Sequence, residues 1–321
     1  MRHRSRTAAA LAAALLGITA TMPAQAQFRS GVEMVPLTVT VTDRAGRYVP
    51  DLTAGDFTVF EDGKAQQLST FATVEAPVDL TMLIDTSSSM HQDLRLAQDA
   101  ASGLARSLRS GDHAGVMGVA TSVSKKQEVT ADLTRVEDAI RSLQASGATA
   151  IYEAIYVALR EFQVARRAAT NVRRQAIVLL SDGLDTASHI PFEHVLDSVR
   201  RGDVTIFVIQ LDRNGKLPMD VDDSRYAFEA RFAMRALARD SGGRFFTAQA
   251  ATELPAIYNA IAHELGNQYV LGYVPARQGG DGAFRRIAVQ VRQPQGTQAR
   301  TRAGYYAHLP RPTLVAPRSR Y

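Results

Sequence analysis

The segment Asp85-Thr86-Ser87-Ser88-Ser89 places one carboxylate and two hydroxyls on alternate positions, directly after the apolar run Leu80-Thr81-Met82-Leu83-Ile84. Where such a run ends a buried strand, alternate side chains leave it on one side and can converge on one point. Taken alone, Asp and Ser at this place would serve equally well as a loop and a helix N-cap. Two further residues in similar positions sharpen the pattern. Thr149, in Ser146-Gly147-Ala148-Thr149, stands just before a helical stretch, and Asp182, in Leu180-Ser181-Asp182-Gly183, stands where a second apolar run ends. Asp85, Ser87, Ser89, Thr149 and Asp182 together offer two carboxylates and three hydroxyls. These are hard oxygen donors with no His or Cys in the motif, a set that selects Mg²⁺, Mn²⁺ or Ca²⁺ over zinc. So small a set leaves coordination positions open. If the two Asp act through water and the hydroxyls bind directly, the ion stays electrophilic and favours an incoming carboxylate.

The elements that must position these groups run from Val78 to about Gly266. Apolar runs at Leu80–Ile84, Ala114–Ala120, Ala176–Leu180, Thr205–Leu211 and the short Arg244–Thr247 have the character of buried strands. Amphipathic helical stretches lie between them near 90–108, 134–143, 149–168, 191–201, 228–240 and 252–265; in one, Ile151, Ile155, Ala158, Leu159 and Phe162 repeat at helical spacing. Strands buried on both faces and separated by helices predict a doubly wound, mostly parallel sheet with right-handed crossovers. In such sheets ligands bind beyond the carboxyl ends of the strands. All three loops of the constellation leave the sheet at that edge.

Either side of this α/β region the pattern is β. Leu37, Val39 and Val41 alternate with Thr38, Thr40 and Thr42, Asp43-Arg44-Ala45-Gly46 has turn composition, and Asp62-Gly63 after Phe57–Phe60 is a two-residue hairpin signal. After Gln268, Tyr269–Tyr273, the alternating Ile287, Val289 and Val291, and Tyr305-Tyr306 follow the same habit, with a loop at Gly279–Gly282. Each piece alone has few strands and little core. The expectation is therefore a small, sandwich-like all-β module built from segments 27–76 and 267–309, with the α/β domain of 77–266 inserted in or flanked by it, and a tail at 310–321.

The three loop segments DTSSS, GATAIYEAI and LLSDGLDT resemble those of a von Willebrand factor type A domain with its metal-ion-dependent adhesion site. The resemblance covers about 77–266, including GDHAGVMGV, SGGRFFTA and TELPAIYNAIAHEL, and all five motif positions match. It implies that Ser87 and Ser89 bind the metal directly and that Thr149 does so in the liganded state. It further implies that Asp85 and Asp182 hold coordinating waters or bind the metal. The flanks DFTVFEDG and QYVLGYVP look like a bacterial subgroup of secreted proteins carrying this domain, and that subgroup brings no activity with it. One departure is at Ala120-Thr121-Ser122, where a bulky aromatic often closes the strand. It puts a family affinity switch in doubt, not the metal.

Composition narrows the rest. Arg2, Arg4 and Arg6, the apolar Ala8–Ala20 and the small residues of Ala24-Gln25-Ala26 form the pattern of a cleaved export signal over 1–26. The apolar run is shorter than the roughly 20 residues a membrane span needs. The expected protein is secreted or periplasmic, with no stable membrane insertion after cleavage. The leader holds three of the 37 basic residues and none of the 32 acidic ones, which leaves a net charge of only +2. That balance argues against nucleic acid as a partner. With no Cys the chain has neither disulfides nor a lipoprotein site. Asp220, Asp222 and Asp223 lack the spacing of an EF-hand loop and have the character of a solvated loop; His91 has that of a surface helical residue. There is no Gly-x-Ser-x-Gly, no P-loop and no Gly-x-Gly-x-x-Gly, so the chain is expected not to be an enzyme. The expected function is metal-dependent adhesion to an Asp or Glu of a protein ligand. The alternatives are a structural scaffold in an envelope assembly, the metal only stabilising, and a metal-assisted hydrolase.

Overall fold

The computed structural model describes residues 34–73, 76–168, 173–212, 221–277, 280–292 and 296–307. The leader at 1–26, Gly279, Asp220 and the tail at 310–321 lie outside the described residues. The chain begins with β1 (Val35–Thr42), β2 (Phe57–Glu61), β3 (Lys64–Gln66) and β4 (Leu68–Ala72). There follow β5 (Val78–Asp85), α1 (Leu94–Ser107), β6 (His113–Val119), β7 (Val123–Thr130), α2 (Leu133–Arg141), α3 (Ile151–Ala168) and β8 (Arg174–Ser181). Next come α4 (Phe192–Arg201), β9 (Val204–Leu211), α5 (Val221–Asp240), β10 (Phe245–Ala248) and α6 (Leu254–Leu265). The last strands are β11 (Gln268–Tyr273), β12 (Phe284–Val291), β13 (Gln298–Arg300) and β14 (Gly304–Tyr306).

The central sheet has the order β10-β9-β8-β5-β6-β7 and is parallel except for β7. Alternation along β5 divides its side chains between two cores. Leu80, Met82 and Ile84 pack with α1, α2 and α6 through Leu104, Ile140, Tyr258 and Ile261. Leu83 faces the other way, against Ile155 and Leu159 of α3, Val195 of α4 and Leu237 of α5. Both faces of the sheet are thus covered, which is why its strands are apolar throughout. Fully burying each of these aliphatic side chains contributes about 1.5–3 kcal/mol. β5 has β6 on one side and β8 on the other, so the winding reverses beside it. That reversal opens a crevice between the loops that follow β5 and β8.

The flanking strands form two four-stranded antiparallel sheets, β13-β1-β11-β4 and β14-β12-β2-β3. Val35 of β1 pairs with Tyr273 of β11, and Val59 of β2 with Val289 of β12, so segments more than 200 residues apart in sequence share each sheet. Leu37, Val39, Val59, Leu271 and Tyr273 fill the space between the sheets. The β2–β3 turn has Asp62 and Gly63 both at positive φ, 47° and 78°, the conformation a type I′ hairpin demands. The molecule is a mixed α/β protein: a mostly parallel, doubly wound sheet flanked by antiparallel sheets.

Three features depart from the sequence expectations. β7 is an edge strand carrying Ser124, Lys125, Lys126, Gln127 and Glu128, with only Val123 and Val129 packed on the core, so no apolar run announces it. β13 is three residues long and held by pairing with Thr40–Thr42 of β1. α5 starts at Val221 instead of near 228, which brings Asp222 and Asp223 into a helix; their side chains lie outside the described residues. Among the described residues no helix is long and apolar enough to cross a membrane.

Candidate functional site

The crevice beside β5 is built from three loops. Asp85 is the last residue of β5 and is fully buried. Its Oδ1 accepts from the Ser87 amide at 2.8 Å and its Oδ2 from the Ser181 hydroxyl at 2.5 Å. Burial pushes the Asp85 carboxyl above its ordinary value, against the pull of those two hydrogen bonds. Ser87, 2% exposed, shares a hydrogen bond of 2.9 Å with the hydroxyl of Ser89. The Ser89 hydroxyl donates to Asp182 Oδ1, also at 2.9 Å. Ser87, Ser89 and Asp182 therefore form one continuous chain of contacts across the gap between β5 and β8.

Thr149 enters from the third loop. The Ser88 amide donates to the Gly147 carbonyl at 2.9 Å and the Ser146 amide to the Thr86 carbonyl at 2.7 Å, which ties the Thr149 loop to the Asp85 loop. Thr149 itself is 5% exposed; its amide donates to Thr186 Oγ1 and its carbonyl accepts from the Thr186 and Ala187 amides. Gly147 is at φ 76°, and a Cβ there would run into Thr121 Oγ1, so the loop takes this course only with glycine. Thr121, in the stretch that lacks an aromatic, accepts from the Ala148 amide at 3.0 Å and closes the loop with a polar contact.

Several residues that hold the site carry no signal on their own. Ser181 donates to Asp85, and its hydroxyl also accepts from the Gly183 amide. Asp185 and Ser188 occupy the amino end of α3: Asp185 Oδ2 accepts from the Tyr152 amide, Ser188 Oγ from the Glu153 amide, and Ser188 donates back to Asp185 at 2.7 Å. The loop after β8 thereby caps the helix that follows Thr149. Burial and the Asp185 charge push the Tyr152 phenol up to about 12. The signal available in sequence was the Asp-Thr-x-Ser of Asp185–Ser188, but which helix it caps is set only by the fold. His91 is exposed in a short 3₁₀ turn over Ser88–Gln92 that precedes α1.

The donor set suits a hard cation. Among the described residues no group of three or more His, Cys, Asp and Glu side chains is gathered for a metal, so hydroxyls would have to complete the shell here. The charge balance points the same way. Among the described residues no Lys, Arg or His stands within ion-pair distance of Asp85, although the carboxylate is fully buried. A buried charge is ordinarily paired or bound to metal.

Residues 80–184 match the family model of the von Willebrand factor type A domain. The chain is similar to a UPF0353 protein of Mycolicibacterium paratuberculosis (strain ATCC BAA-968 / K-10), 30% identical over 207 residues, which are 60% of this chain and 62% of that protein. A UPF0353 protein of Nocardia farcinica (strain IFM 10152) is 24% identical over 231 residues, 63% of this chain and 65% of its own. The chain thus spans less than two thirds of the length of these curated relatives. Among solved structures it is similar to a von Willebrand factor type A protein from Catenulispora acidiphila, with 13% identity, TM-score 0.47, and coverage of 87% of this chain and 75% of that one. It is also similar to an aerotolerance-related membrane protein from Bacteroides fragilis NCTC 9343, with 19% identity, TM-score 0.45, and coverage of 59% and 98%.

Proposed function

We propose that this protein is an exported, metal-dependent interaction module that binds an acidic side chain of a protein partner through a divalent cation. Asp85, Ser87, Ser89, Thr149 and Asp182 hold the cation, which is Mg²⁺, Mn²⁺ or Ca²⁺ by the hardness of the donors. The observation that carries this reading is the Asp85 carboxylate, fully buried and served by a hydroxyl and an amide but by no basic side chain. Dipoles alone leave that charge unbalanced, and a cation in the crevice balances it. The match of residues 80–184 to the von Willebrand factor type A domain supports an interaction module over an enzyme.

The hydroxyl chain Ser87–Ser89–Asp182 keeps the ligands together before the ion arrives, so the ion meets a preorganised site. When bound, the cation supplies an open coordination position for a carboxylate. This chain's residues set where that position faces: Asp85 and Ser87 lie beneath and are buried, while Ser89 is exposed at the rim. A pull-down from an envelope extract, with and without Mg²⁺, tests the proposal. Partner recovery is expected to disappear with EDTA and in Asp85→Ala while the fold survives by circular dichroism. Recovery unchanged in both would end the metal-bridge account, and a lowered Tm with unimpaired recovery would favour the scaffold alternative.

A further inference from the structure

A second anion-seeking surface lies at the other end of the sheet. A cleft of about 570 Å³, large enough for side chains of a bound segment, opens between the carboxyl-terminal half of α5, the start of β10 and the β12–β13 side of the antiparallel module. Its position is fixed by Arg302, whose Nη1 donates to the carbonyl of Gly202 just before β9 begins, and by Gly243, which packs directly on the backbone of Ile206. The metal-site loops follow the opposite, carboxyl ends of β5 and β8.

Five guanidiniums line this cleft: Arg235, Arg239, Arg244, Arg300 and Arg302. Two carboxylates reach them. Asp240 pairs with Arg239 at 3.1 Å and is shared with Arg200, and the fully buried Glu264 takes Arg300 at 2.5 Å and Arg244 at 3.6 Å. Among the described residues no carboxylate stands within ion-pair distance of Arg235 or Arg302. Arg302 is only 8% exposed, spends both Nη groups on the carbonyls of Gly202 and Pro36, and has an Nε without a partner. A positive charge buried in this way raises the potential of the cleft, because the low-dielectric wall screens it poorly. Arg235 lies over the Phe245 ring at 5.0 Å and Arg244 over the Phe246 ring at 4.5 Å, so the rings hold the guanidinium planes in place. Ile287 and Val289 add apolar surface beside them.

The same surface continues along α5. Phe228, Phe232, Arg235 and Arg239 are all exposed and recur at spacings that place them on one helical face. Phe228 and Phe232 are 67% and 59% exposed, unusual for such side chains. The face runs about 16 Å along the helix, longer than one phosphate or one carboxylate, with its aromatic pair toward the amino end and its cationic pair toward the carboxyl end beside the cleft. A lipid surface is flat and would touch the helix ridge without entering the cleft; an extended polypeptide can follow both.

We propose that this face of α5 and the arginine-lined cleft form a second, metal-independent docking site for an acidic polypeptide segment with aromatic or aliphatic residues interspersed. Arg235 and Arg239 take its carboxylates at the mouth, and Phe228 and Phe232 take its apolar side chains.

The test is fluorescence anisotropy with the purified protein and a labelled peptide of repeated Glu-Glu-Phe units. With EDTA present throughout to empty the cation site, binding is expected, weakening as salt rises and unaffected by Asp85→Ala. Arg235→Glu with Arg239→Glu should weaken it about tenfold or more, and Phe228→Ser with Phe232→Ser should weaken it without changing the salt dependence. Arg235→Gln with Arg239→Gln, a milder exchange at the same exposed positions, guards against misfolding and should give a smaller loss in the same direction. Equal binding of a Lys-Lys-Phe peptide, or indifference to the arginine exchanges in folded protein, overturns the proposal. So does binding to phosphatidylglycerol vesicles with none to the peptide, which would make the partner a membrane. Binding in EDTA separates this site from the cation site, so either can fail alone.

Discussion

Buried acids are handled in two ways in this molecule. In the antiparallel module Glu61 is 4% exposed and is met by the Arg285 guanidinium at 3.2 Å and by the Tyr273 and Tyr305 hydroxyls at 2.7 and 2.9 Å. Glu264, at the end of α6, is fully buried and meets Arg300 and Arg244 together with the hydroxyls of Thr40 and Tyr48. Both are electrically closed. Asp85 is equally buried, yet it accepts from a serine hydroxyl and an amide, with no cationic side chain beside it. Burying an ion costs several kcal/mol, which hydrogen bonds from neutral donors offset only in part. Glu61 ties the two antiparallel sheets to each other and Glu264 ties α6 to them, whereas the edge of the parallel sheet keeps a buried acid with no basic side chain beside it.

The largest expected effect comes from breaking the closed kind. Arg285→Ala strands Glu61 and should destabilise the protein by about 3–5 kcal/mol in urea unfolding, and Glu61→Gln together with Arg285→Met should recover most of that loss. At the open site the opposite sign is expected: Asp85→Asn removes an unbalanced charge and should leave stability in EDTA equal to or above that of the unaltered protein. The same change should abolish stabilisation by Mg²⁺, which at about 100 times Kd amounts to about 2.7 kcal/mol in the unaltered protein. If Asp85→Asn instead destabilises as much as Arg285→Ala, the two regions are not different in kind. Ser181→Ala deletes a donor to Asp85 and should cost about 1–3 kcal/mol in EDTA, with part of it regained on adding Mg²⁺, as differential scanning would show.

The smallest effect is in alkali. Burial and the hydrogen bond to Glu61 push the Tyr305 phenol up to about 12, from an ordinary value of 10.0. Between those values the folded state keeps a proton that the unfolded chain has released, so the contribution of Tyr305 to stability falls as pH rises through that window. Tyr305→Phe should therefore flatten the decline of stability above pH 10, measured against unaltered protein in parallel unfolding curves.

Much of the architecture was legible because period and burial coincide. Leu37, Val39 and Val41 alternate and all lie in the sandwich core, and the continuous apolar runs of β5, β8 and β9 reflect a sheet covered on both faces. The elements that escaped are those whose existence depends on a neighbour. β7, with Lys125, Lys126 and Glu128 exposed along an edge, has no apolar signature, and β13 exists through its pairing with β1.

At the candidate site the same division holds. Asp85, Ser87, Ser89, Thr149 and Asp182 could be chosen from sequence because residue type and position after an apolar run are local properties. That Ser181 would serve Asp85, that Asp185 would cap the helix beyond Thr149, and that Thr121 would receive the Ala148 amide required segments 27 to 96 residues apart to be set side by side. The sequence by itself determined which donors exist and which end of the sheet carries them. Only the tertiary structure decided which acids have a guanidinium for a neighbour and which do not, because charge compensation acts through space and its partners come from distant parts of the chain.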